Sequence, residues 1–131
     1  MKTVDASSLI DLFTFPENFS AQQEVLKERL IAPAILVPEF LNGIRKMVIR
    51  KSISSKLADE AVQRFAYLRI ELTTLSSHRA ELWRMLPNFT PYDATYVFLA
   101  NKTRTPLLTS DARLARAAIR TTEVILLDKP I

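Results

Sequence analysis

Four acidic residues in this sequence, Asp5, Glu39, Asp93 and Asp111, each stand where an apolar, strand-like or turn segment passes into a helix-like one. Carboxylates are hard oxygen ligands, and when several are brought together they repel unless a proton or a cation intervenes. The chain has no cysteine and one histidine, His78, so the cation that suits it is Mg²⁺ or Mn²⁺ rather than zinc. Such an ion makes a bound water easier to deprotonate and stabilises charge on a phosphoryl oxygen under attack, which points to phosphodiester hydrolysis. The acids are outnumbered, 14 Asp and Glu against 18 Lys and Arg, for a net charge of +4. Carboxylates gathered in a basic protein suggest a metal held against a nucleic acid backbone.

The elements that must position these acids are legible in outline. A strand is expected over residues 2–4, with Asp5 at its junction with a helix over 6–13. Further helices are expected over 20–29, 39–50, 54–68, 76–86, 92–102 and 112–120, and short strands over 70–72, 106–109 and 124–127. The segment 30–37 is ambiguous, because Pro33 either breaks a β-rich run or opens a helix. Strands alternating with helices imply a parallel sheet covered by helices. Ligands of such sheets collect beyond the carboxyl ends of the strands, where Asp5 and Asp111 both stand. Taken singly, each acid also fits a plainer reading, since acids at helix starts cap free amides and suit the helix dipole. Thr90-Pro91-Tyr92-Asp93 has the form of a capping box.

Composition narrows the field. A length of 131 residues, 48% hydrophobic and 24% charged, fits one domain with a sizeable core. The absence of cysteine permits a reducing compartment. The N-terminus meets Asp5 and Asp11 before any long apolar run, so no signal peptide is expected. No run of about 18 apolar residues exists to span a membrane, and a cytoplasmic location is the default expectation. Gly43 is the only glycine, which excludes a glycine-rich phosphate loop and disfavours a fold built on many tight turns.

The stretches Thr3-Val4-Asp5-Ala6-Ser7-Ser8-Leu9-Ile10, Pro38-Glu39-Phe40-Leu41-Asn42, Pro91-Tyr92-Asp93-Ala94-Thr95-Tyr96-Val97-Phe98-Leu99-Ala100 and Leu108-Thr109-Ser110-Asp111-Ala112-Arg113-Leu114 resemble the motifs of PIN-domain ribonucleases, particularly the VapC-type toxins of toxin-antitoxin pairs. The resemblance covers the whole chain in order, spacing and length. It implies a PIN-like three-layer α/β/α fold with a short parallel sheet of four or five strands and about seven helices. It also implies Mg²⁺- or Mn²⁺-dependent endonucleolytic cleavage of RNA, a cognate antitoxin, and a homodimer or toxin-antitoxin hetero-oligomer. On this resemblance Asp5, Glu39, Asp93 and Asp111 form the catalytic, metal-binding cluster, with Ser7 and Thr109 supplying hydroxyls that support the acids or the metal-bound water. It also favours a strand ending near Ala32 and a helix from about Ala34, with Pro38 distorting its early turns.

Basic residues complete the reading. Arg113, Arg116 and Arg120 fall at i, i+3 and i+7 on the helix that Asp111 opens, and Arg45 and Lys46, with Arg50 and Lys51, follow Glu39. Either set can hold RNA phosphates, border a groove for an antitoxin tail, or simply form a solvated face. Trp83 reads as core or a partner surface. Two other classes stay open. Receiver-like signalling domains also bind Mg²⁺ at strand ends, and Lys129-Pro130 resembles their terminal Lys-Pro, but the paired acids after the first strand and a central phosphate-accepting Asp are missing. A non-catalytic interaction module, its acids serving only as caps, is the third reading.

Overall fold

The computed structural model describes residues 1–128; Lys129-Pro130 lies outside the described residues. The order of elements is β1 (Lys2–Val4), α1 (Ala6–Thr14), a 3₁₀ helix (Ala21–Lys27), β2 (Leu30–Pro33), α2 (Leu36–Ile49), α3 (Ser55–Tyr67) and β3 (Glu71–Thr73). A second 3₁₀ turn (Ser76–His78), α4 (Arg79–Met85), α5 (Pro91–Thr103), β4 (Leu107–Thr109), α6 (Ala112–Ala118) and β5 (Val124–Leu126) follow.

The five strands form one parallel sheet in the order β3-β2-β1-β4-β5. The chain moves outward from β1 in one direction through β2 to β3, then returns to the other side for β4 and β5. Right-handed crossovers require helices on opposite faces for opposite directions of travel, and two separate cores result. Helices α1, α2 and α3 pack over Val4, Leu30, Ala32 and Leu108, around the aromatic group Phe13, Phe40 and Phe65. On the other face α5 and α6 cover Leu107 with Tyr96, Val97, Leu114 and Ala118. Leu107 and Leu108 point to different cores, as the two-residue period of a strand demands. This strand order differs from the 2-1-3-4-5 arrangement of the flavodoxin-like sheets that receiver domains use, and the receiver reading fails on topology.

The ambiguous segment resolves with Pro33 closing β2 and α2 beginning at Leu36. The expected distortion at Pro38 has no hydrogen bond to act on. Pro38 is the third helical residue, where the amide is unpaired in any helix, and the Glu39 amide bonds to the Ile35 carbonyl at 3.1 Å directly after it. Residues 21–27 form a 3₁₀ helix rather than the expected α-helix, with no side-chain cap at Ser20. Helix α6 ends at Ala118, short of Arg120. Ser54 caps α3 through the Leu57 amide at 3.1 Å, and Thr90 caps α5 through the Asp93 amide, also at 3.1 Å. Gly43 lets α2 approach α1, since a Cβ there would sit 2.3 Å from Ile10 Cδ1. Trp83 is 72% exposed, so it is not core; α4 is a short helix with no buried residue.

Candidate metal centre

The reversal of chain direction falls between β1 and β4, and the crevice at such a reversal is where open α/β sheets bind ligands. Register then fixes the neighbours. Val4 pairs with Leu108, so the next residue of each strand, Asp5 and Thr109, meet at the carboxyl end. Thr109 Oγ1 donates to Asp5 Oδ2 at 2.5 Å, and Ser7 Oγ lies 2.9 and 2.8 Å from the two oxygens of Asp5.

The direction of these bonds is settled by the backbone. The Ser110 amide donates to Ser7 Oγ and the Asp111 amide to Thr109 Oγ1, both at 3.0 Å. Each hydroxyl accepts from an amide and has one proton to give, so it gives it to Asp5. Asp5 Oδ1 also accepts the Ser8 amide at 3.0 Å, which caps α1. The turn that carries Asp111 is therefore braced against Asp5 through two hydroxyls. Between them, Ser110 Oγ is the buried side-chain oxygen left without a partner among the described residues.

Asp5 is 5% exposed and no basic side chain contacts it among the described residues. Burial pushes its carboxyl up from 3.8 to about 6, although the hydrogen bonds from Thr109, Ser8 and Ser7 pull the other way. A buried carboxylate surrounded by neutral donors is in electrostatic deficit, which a cation at the strand ends would relieve.

The other acids gather by different routes. Asp93, at the third residue of α5, does not close a capping box; its Oδ2 accepts from Arg113 Nη2 at 3.0 Å. Asp111 caps α6 with Oδ1, accepting the Arg113 and Leu114 amides at 2.9 and 3.2 Å, and turns Oδ2 toward the same guanidinium nitrogen at 3.4 Å. Arg113 thus spans the two acids. Glu39, on the fourth residue of α2, accepts a 2.5 Å bond from the hydroxyl of Tyr96 on α5.

Tyr96 is the residue that sequence reasoning missed. It is 2% exposed and lies three positions after Asp93, on the same face of α5. Burial, then the bond and charge of Glu39, then the charges of Asp5 and Asp93 hold its hydroxyl protonated far above the ordinary tyrosine range. One hydroxyl therefore feels three of the four acids. A tyrosine among the apolar residues of a buried helix face, one turn from an acid, was the signal available.

Among the described residues no three acidic or histidine side chains converge closely enough, as they stand, to hold a metal ion. The reason is visible in the bonds above: Asp93 and Asp111 are drawn to Arg113, and Glu39 to Tyr96. The donor set nevertheless fits a hard divalent ion, with oxygen ligands throughout and a buried acid that no basic side chain contacts among the described residues. Arg45 and Lys46 are exposed farther along α2 and take no part in the links that join the acids. Arg116 and Arg120 are exposed and, with Arg113, line a cavity of about 370 Å³ beside Asn88 and Phe89.

The chain as a whole is similar to known proteins. The family model described as the PIN domain matches residues 2–120. Ribonuclease VapC1 of Mycobacterium tuberculosis is 36% identical over 118 residues, covering 87% of this chain and 88% of the relative. Ribonuclease VapC9 of the same organism is 29% identical over 115 residues, covering 88% and 89%. Among solved structures, PAE2754 from Pyrobaculum aerophilum superposes with a TM-score of 0.66 at 20% identity, covering 94% of this chain and 82% of that one. VapBC2 from Rickettsia felis, bound to a DNA fragment from its promoter, gives 0.64 at 16% identity, covering 98% and 100%.

Proposed function

The chain belongs to the PIN domain family, among the VapC-type ribonucleases, and from that premise we propose that it is a Mg²⁺- or Mn²⁺-dependent endoribonuclease acting as the toxin of a toxin-antitoxin pair. The observation that carries the proposal is the buried Asp5 carboxylate at the β1–β4 switch point, held by hydroxyls and amides with no basic side chain against it among the described residues. The relatives named VapC ribonucleases support the activity class, and the VapBC2 complex supports an antitoxin partner.

Asp5, Asp93 and Asp111, with Glu39, would hold the ion. When bound, it would supply charge neutralisation at the phosphoryl group and a water easier to deprotonate than bulk water. The protein's own contribution is orientation. Ser7 and Thr109 aim both oxygens of Asp5, with their protons committed by the Ser110 and Asp111 amides. The Asp111 cap fixes one of its oxygens and leaves the other facing Asp93 through Arg113. Tyr96 holds Glu39 against α5. Arg113 touches the acids and shares a cavity with Arg116 and Arg120, and the three would offer guanidinium groups to the phosphates of the strand being cut. Hydrolysis by water breaks the P–O3′ bond and leaves a 5′-phosphate and a 3′-hydroxyl.

Among the described residues no helix is long and apolar enough to cross a membrane. The antitoxin would neutralise the toxin by covering the acids, in a hetero-oligomer built on a toxin homodimer. The test is cleavage of a mixed RNA pool by the purified protein, with end-group analysis. Products with 5′-phosphates that form with Mg²⁺ or Mn²⁺ and cease with chelator are expected; full activity in excess chelator would overturn the proposal.

A further inference from the structure

Arg113 occupies two places in the molecule. Its guanidinium bridges Asp93 and Asp111 at 3.0 and 3.4 Å, and its side chain also lines the cavity of about 370 Å³ shared with Asn88, Phe89, Arg116, Arg120 and Thr121. No acid lines that cavity among the described residues, so Arg116 and Arg120 have no acidic partner within it. The side chain is 64% exposed, and an exposed ion pair in water is weak enough to exchange partners readily. The two acids it spans are those the proposed function assigns to the metal.

Resting on that function, we infer that Arg113 is an exchangeable counter-ion. In the metal-free protein it neutralises Asp93 and Asp111, and when a divalent ion takes those carboxylates it turns into the arginine cavity and binds a phosphate of the RNA strand beside the scissile bond. Three features support the exchange. The same guanidinium nitrogen serves both acids, so a cation between them displaces it from both at once. The cavity of about 370 Å³, lined also by Phe89 and Asn88, is large enough for a nucleotide unit. Arg113 is also the member of the set that reaches both sites, since Arg116 and Arg120 follow one and two turns later. Metal loading then completes the phosphate site, and by linkage a bound strand favours the loaded metal site.

The exchange predicts effects that direct coordination of RNA by the metal does not. Mn²⁺ binding is measured by electron paramagnetic resonance on the full chain without RNA, for wild type, R113A and R116A. Binding of a short, fluorescently labelled 2′-O-methyl phosphorothioate RNA is measured by anisotropy in chelator and in Ca²⁺, with strand integrity checked on gels. R113A should bind Mn²⁺ about two- to fivefold more tightly, the range expected for loss of one exposed competing ion pair, whereas R116A should leave Mn²⁺ affinity within twofold of wild type. R113A should weaken strand binding in Ca²⁺ but not in chelator; R116A should weaken it in both.

Unchanged or weaker Mn²⁺ affinity in R113A overturns the inference, as does an equal loss of strand binding with and without Ca²⁺. Equal tightening by R116A would mean that bulk charge, not the bridge, is felt, and overturns it too. If wild type binds no Mn²⁺ at all, the metal site itself falls and this inference falls with it. Circular dichroism of each variant guards against misfolding, and R113Q, which removes the charge while keeping a polar side chain, should show tighter Mn²⁺ binding if R113A fails to fold.

Discussion

Replacing Asp5 with Asn should stabilise the metal-free protein, and by an amount that depends on pH in a defined way. Burial raises the Asp5 carboxyl from 3.8 to about 6, about two pKa units, and at ~1.4 kcal/mol per unit the ionised group costs the native state about 3 kcal/mol. An acid whose folded pKa is raised holds its proton more tightly in the native than in the unfolded chain. The resulting stability is fully present below pH 3.8 and is lost as pH rises through about 6. Asparagine cannot ionise. Its amide oxygen still accepts the Ser8 amide and the Ser7 hydroxyl, but its NH₂ group replaces the oxygen that accepts from Thr109, and the loss of that bond trims the gain to about 1–2 kcal/mol. Denaturant unfolding in chelator, repeated across this pH range, should show wild type losing stability from acid to neutral pH while the variant stays nearly level. Added Mn²⁺ should then stabilise wild type and narrow the gap, because the ion binds the folded state of wild type. A variant less stable than wild type at neutral pH in chelator would refute the argument. So would a difference that does not shrink toward pH 4.

Other outcomes follow from the same geometry. Asp93→Asn should abolish RNA cleavage while leaving the far-ultraviolet circular dichroism intact, because Thr90 rather than Asp93 caps α5; loss of fold would restore the capping explanation. Tyr96→Phe should cost ~1–2 kcal/mol, a buried hydroxyl's bond to a carboxylate, and tighten Mn²⁺ binding by freeing Glu39 for the ion. Thermal melts and metal titration check it, and an unaffected metal affinity would remove Tyr96 from the site. Thr109→Val deletes a donor that lowers the Asp5 pKa, so the acid limb of the stability profile should move above pH 6 with a loss of ~1–2 kcal/mol at neutral pH. Arg116→Ala with Arg120→Ala should reduce the slope of log affinity for single-stranded RNA against log salt by roughly 1.4, two phosphate contacts at about 0.7 each; an unchanged slope would return them to a solvated face.

Much of this arrangement was legible in the sequence because it rests on local signals. Val4 before Asp5 and Leu107-Leu108-Thr109 before Asp111 are apolar runs that end in an acid, and parallel strands carry such ends to one edge of the sheet. Ser54 and Thr90 announced their helices by capping. The misses are long-range or marginal. Nothing local distinguishes a 3₁₀ helix over Ala21–Lys27 from an α-helix when its residues are only partly covered. The pairing of Tyr96 with Glu39 spans 57 positions, and Arg113 reaches Asp93 across 20; such partners emerge only when α2, α5 and α6 meet. Pro38 misled for a simpler reason, because proline disturbs a helix interior but not its first turn.

The central claim is that the acids at the β1–β4 switch point hold a divalent ion. The most direct test is anomalous diffraction from crystals soaked in Mn²⁺. The account predicts a peak about 2 Å from carboxylate oxygens of Asp5 and Asp93, with the Arg113 guanidinium withdrawn from Asp93. A peak elsewhere, or saturating Mn²⁺ that leaves the Arg113–Asp93 pair in place and Asp5 bonded only to hydroxyls and amides, would contradict it.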